Sequence, residues 1–102
     1  MGFEYMSQSR DLLIGADGYE VVVTQTLRKL IVQITGDDQL TWKLQGSLDG
    51  SRWYDVENES GAPTTAVNAA PQSFTVDKYS KCRLWASNSG SSLVVSLKGI
   101  AN

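Results

Sequence analysis

The sequence predicts an all-β protein: an antiparallel β-sandwich, jelly-roll-like or Ig-like, of seven to eight strands with an extended N-terminal arm. Three observations lead there. Leu40, Trp42, Leu44, Gly46 and Leu48 alternate with Thr41, Lys43, Gln45 and Ser47, and a period of two is that of a strand buried on one face. Strand-like runs recur roughly every ten residues, separated by Gly, Asp, Asn and Ser turns. No segment sustains a 3.6-residue period, so no helix longer than a turn or two is expected.

The elements follow in order. Residues 1–17 have no usable period. Phe3, Tyr5, Met6, Leu12, Leu13 and Ile14 are scattered among polar residues there, and the segment is read as an arm set apart from a sandwich at residues 18–102. It is either a frayed terminus or a segment that packs on a neighbouring subunit. Removing it is expected to leave the fold intact. Residues 19–26, with three consecutive valines, form a strand, as do residues 29–35, where Leu30, Val32 and Ile34 share a face. Gly36-Asp37-Asp38 is a turn; the chain is far too short for this triplet to be a polymerase motif.

Asp49-Gly50 then joins the alternating strand to residues 52–56 in a hairpin. Residues 58–72 are long and polar, with Pro63 and Pro71, and a short edge strand at 64–67 is expected within them. A loop this long in a small domain is usually functional or interfacial. Residues 73–77, 81–88 and 92–100 complete the strands. The expected core is Leu30, Val32, Ile34, Trp42, Leu44, Leu84, Val95 and Leu97.

Composition narrows function by exclusion. The 102 residues make one domain, with 41% hydrophobic residues, 20% charged residues and a net charge of −2. That balance argues against nucleic acid as a direct partner. No run approaches the length of a membrane span, so no membrane is expected. A basic, apolar leader is not evident at the start, and Met6 stands where a myristoylation signal has Ser or Thr. The sequon Asn58-Glu59-Ser60 is therefore read as silent.

There is no histidine, which removes imidazole acid–base chemistry, His-based triads and His metal sites. The single Cys82 falls on the apolar face of its strand and reads as a packing thiol. Asp55, Glu57 and Glu59 recur every second residue; this is a solvated edge that deters sheet pairing, or else part of a calcium site with Asp49. No nucleophile or acid–base set converges, so an enzyme is not expected, nor is any cofactor or metal. Trp85 lies on the polar face of its strand between Arg83 and Ser87. Three roles are open to it: plugging an interface, covering a neighbouring strand, or stacking on a sugar.

The stretch Leu44-Gln45-Gly46-Ser47-Leu48-Asp49-Gly50-Ser51-Arg52-Trp53-Tyr54-Asp55-Val56 resembles a pattern in small bacteriophage structural proteins. In these a strand ends in Gly-Ser-Leu-Asp-Gly-Ser, followed by a residue, Trp and a short apolar strand. Tyr79-Ser80-Lys81-Cys82-Arg83-Leu84 is similar to a later element of the same pattern, a corner Tyr before a strand carrying Arg. The resemblance spans about residues 30–100 and implies a virion protein assembled in the bacterial cytoplasm. It implies a non-enzymatic role, foremost that of a capsid decoration or cement protein. Its partners would be the major capsid protein or other virion proteins, and its own copies in a homo-oligomer, a trimer being favoured. The alternative is a carbohydrate-binding module or the receptor-binding part of a tail or fibre, with a glycan as partner. The interface residues expected are Phe3, Tyr5, Leu12, Leu13, Ile14, Pro63, Pro71 and Trp85.

Overall fold

In the computed structural model, residues 8–16, 18–23, 27–61, 64–88 and 90–101 are described. They contain nine strands and no helix: β1 (Gln8–Ile14), β2 (Tyr19–Val23), β3 (Leu27–Thr35), β4 (Thr41–Ser47), β5 (Tyr54–Val56), β6 (Thr64–Ala66), β7 (Gln72–Thr75), β8 (Lys81–Ala86) and β9 (Ser91–Ala101). Seven have four or more residues, and β5 and β6 have three each.

Two antiparallel sheets result. One runs β1-β9-β3-β7 and the other β2-β8-β4-β5, with β6 also paired to β4. β5 and β6 share one edge of β4: Gly46, Gln45 and Leu44 face β5, while Lys43, Trp42 and Thr41 face β6. Strand 1 pairs with 9, 2 with 8, 3 with 7 and 4 with 6. The chain is thus a long hairpin wrapped into a sandwich, which is the jelly-roll order rather than the Ig one.

The alternation read from sequence fills the space between the sheets. All eight expected core residues are buried, joined by Ile14, Leu27, Val56, Val67, Phe74, Val76, Cys82, Ala86 and Leu93. Trp42 meets Phe74 edge-on, with ring centroids 5.7 Å apart. Its indole N–H donates to the Ala66 carbonyl at 3.3 Å, which satisfies the one polar atom of the ring.

The arm is corrected in part. Residues 1–7 lie outside the described residues, but Gln8–Ile14 form an edge strand registered on β9 from Gln8↔Leu97 to Ile14↔Ser91. Ile14 is fully buried, so it is a core residue and not an exposed contact. The physical reason is edge pairing: β9 offers a row of amides and carbonyls that β1 satisfies, whatever the side-chain pattern of β1.

Two local devices close the sandwich. Asn58 bridges to Phe74, linking the ends of the two sheets. Its amide donates to Gln72 Oε1 at 2.9 Å and its Oδ1 accepts the Ser60 amide at 2.9 Å, which accounts for an almost wholly buried polar side chain. Asn68 adopts a left-handed φ of 62°, a conformation that Asn tolerates. Its side chain both accepts from Gly36 N and donates to Gly36 O, at 3.1 and 2.8 Å.

Candidate functional site

The β4–β5 hairpin is built around one carboxylate. Asp49 Oδ1 accepts from the backbone amides of Ser51 and Arg52 at 2.8 and 2.9 Å and from the Ser47 hydroxyl at 3.1 Å. The buried Ser47 oxygen in turn accepts the Gly50 amide at 2.9 Å. Gly50 has φ 77°, which the Asp-Gly turn demands. The Arg52 and Ser51 amides, then the Ser47 hydroxyl and the Arg52 charge, pull the Asp49 carboxyl from the usual 3.8 down to about 2. Asp49 is therefore a structural anion.

This rigid turn holds Leu48 and Tyr54 out in solvent, 73% and 58% exposed. The Tyr79 ring folds over Gly46, in the space a Cβ would take. A cleft of about 370 Å³ opens between Leu48, Asp49, Arg52, Tyr54, Lys78 and Tyr79. A second hollow of about 520 Å³ shares Lys78 and Tyr79 with it and continues past Asp55, Val56, Glu57, Asn58, Thr75 and Asp77. The two form one groove along the open end of the sandwich, with an apolar, aromatic half and a polar half. Each volume lies within the range of about 300–1,000 Å³ typical of small-ligand sites.

The outer face of the second sheet carries a different arrangement. Lys43 Nζ lies 4.7 Å from the centre of the Trp85 ring and 3.3 Å from both Asp55 oxygens. Gln45 donates to Asp55 at 3.0 Å and accepts from Arg83 Nε at 2.8 Å, and the Arg83 guanidinium sits 4.4 Å over Trp53. The Gln45 hydrogen bond, then Lys43, lowers the Asp55 carboxyl pKa. These contacts cross-brace β4, β5 and β8 and engage Trp85 as a cover for Lys43.

The acidic row does not act as a unit. Asp55 binds Gln45 and Lys43, whereas Glu59 pairs with Lys29 at 2.7 Å, which lowers its pKa. Among the described residues no three Asp, Glu or Cys side chains gather as a metal site. Cys82 is buried between the sheets.

The expected interface residues scatter. Leu13 is 65% exposed and Pro71 is exposed, Trp85 is half-buried, and the Leu12 backbone pairs with Leu93. Phe3, Tyr5 and Pro63 lie outside the described residues. Sequence reasoning passed over Tyr54, Glu57 and Asp77 as members of one groove. The available signal was the Asp-Gly hairpin, which projects whatever flanks it, together with the corner Tyr79.

No family model matches the chain, and no curated protein matches it in sequence. Solved structures do match in fold. The SPBc2 prophage-derived protein YomS aligns with TM-score 0.64 and 11% identity over 95% of this chain and 96% of its own. The PBSX exported protein XepA aligns with TM-score 0.62 and 13% identity over 95% of this chain and 39% of its own. The IMPa metallopeptidase of Pseudomonas aeruginosa, in its complex with T-antigen, aligns with TM-score 0.54 and 15% identity. The chain spans only 13% of that enzyme. At these identities the likeness is one of fold: the chain shares its sandwich with a prophage-derived protein of nearly equal length and with parts of two larger proteins.

Proposed function

We propose that this chain is a non-enzymatic structural protein of a phage particle, a decoration protein that binds the capsid shell as a small homo-oligomer, a trimer being favoured. The observation that carries the phage reading is the match to prophage-derived YomS over nearly the full length of both chains. Three of the acids are tied up in structure. Asp49, Asp55 and Glu59 are each stabilised as anions by fixed donors, so none is suited to deliver a proton near neutrality.

The contact face in this reading is the outer side of the β1-β9-β3-β7 sheet. Leu13 and Val94 are exposed there, diagonal to each other across the β1–β9 pair. Purified protein mixed with undecorated capsids of its phage should co-sediment with them, and Leu13→Asp with Val94→Asp should abolish this without lowering the melting temperature. Wild-type protein that stays in the supernatant would reject the decoration role.

A further inference from the structure

We infer that the groove at the open end of the sandwich is a binding site for a neutral oligosaccharide, separate from the capsid-facing sheet. Its two halves supply the two contacts a pyranose needs. A sugar ring has an apolar face of C–H bonds that stacks on an aromatic ring, and a rim of hydroxyls that seeks charged or amide acceptors. Tyr54 offers such a ring, 58% exposed and held by the hairpin anchored at Asp49. Tyr79 lines both hollows.

At the polar end, Glu57 and Asp77 make no hydrogen bond or ion pair among the described residues, and Thr75 lines the same hollow. Acceptors left uncommitted at the mouth of a preformed groove can take up vicinal hydroxyls without first breaking protein contacts. Asp55, at the same rim, is already committed to Gln45 and Lys43.

Charge selects the class of sugar. The groove is lined by Asp49, Asp55, Glu57 and Asp77 against Arg52 and Lys78. Acids outnumber bases, so sulfated, phosphorylated or uronic acid polymers are repelled and neutral hexoses or N-acetylhexosamines are accepted. An open groove with one stacking ring binds weakly, and a multimeric assembly would raise avidity through repetition.

The test is a titration of the full-length protein with maltotetraose, cellotetraose, chitotetraose and mannotetraose, followed by amide chemical shifts. At least one should give saturable shifts confined to residues 48–58 and 75–79, with Kd about 1 mM. Tyr54→Ala should weaken that binding about tenfold and Asp77→Asn several-fold, with melting temperatures unchanged because both side chains are exposed. Trp85→Ala, on the braced outer sheet face, should leave Kd as it is. The inference is overturned if none of the four shifts these residues, if Trp85→Ala rather than Tyr54→Ala abolishes binding, or if a heparin tetrasaccharide binds more tightly than all four. A Thr/Val heptapeptide that perturbs the β5 edge while no sugar does would also overturn it, in favour of strand addition. Capsid co-sedimentation is read separately, so either result can fail alone.

Discussion

Single residues set the geometry of the hairpin end, and two of them make sharp predictions. Gly46 has no side chain because the Tyr79 ring occupies its place. Gly46→Ala must push that ring off the sheet end, at a cost of about 1–3 kcal/mol, the usual penalty of overpacking. Thermal denaturation followed by circular dichroism would measure it; an unchanged midpoint would mean that Tyr79 moves freely. Asp49 makes a prediction in pH. Its folded pKa of about 2 lies below the ordinary 3.8, so the fold favours the ionised form. That contribution is fully present above the ordinary value and is lost as pH falls through about 2. The melting temperature of the wild type should therefore drop more steeply from pH 4 to 2 than that of Asp49→Asn, which keeps the acceptor but cannot titrate. Parallel curves would remove Asp49 from its role in the turn. In the core, Trp42→Ala leaves a void beside Phe74 and should cost about 3–5 kcal/mol in chemical denaturation.

At the level of elements, what the sequence revealed depended on whether side chains or backbone partners define the strand. β3, β4, β8 and β9 announce themselves through alternation, because one face of each meets the core and the other meets water or a brace. Their burial largely follows the pattern, as in Cys82, Leu84 and Ala86 against Lys81, Arg83 and Trp85. It reverses at the end of β4, where the chain enters the turn: Ser47 is buried and Leu48, expected on the buried face, is exposed. β1 carries no such pattern; it exists because β9 has a free edge, which no local reading of Gln8–Ile14 can see. Strand order was hidden for the same reason, and with it the groove, whose walls come from the hairpin, β5 and the β7–β8 corner. Deleting residues 1–14 should now destabilise the domain. Burial of Ile14 alone is worth about 1.5–3 kcal/mol, and the deletion bares the edge of β9. Hydrogen exchange should show faster exchange along residues 91–97 in the truncated protein. Unchanged protection there would mean that β1 adds nothing to the sheet.

Among the described residues the molecule is a wrapped hairpin of nine strands in which the first and last must find each other. Such pairings close the longest loops before they gain any contact, so folding should be slow for a chain of this size, in the range of milliseconds to seconds. Stopped-flow refolding followed by tryptophan fluorescence would report it through the buried Trp42; a microsecond relaxation would contradict the wrapped order of pairing.

The pairing of β1 with β9 has one more consequence. β1 begins opposite Leu97, and β9 ends only four residues later, at Ala101, so the chain enters and leaves the sandwich at the same corner. Such a domain is a cassette. Spliced into a surface turn of a host protein through two adjacent junctions, it should fold without disturbing the host. The same closeness permits rewiring: residues 101 and 8 joined by a short Gly/Ser bridge, with new ends cut between Asp38 and Gln39 in the exposed β3–β4 turn, should give a permuted chain that folds to the same two sheets.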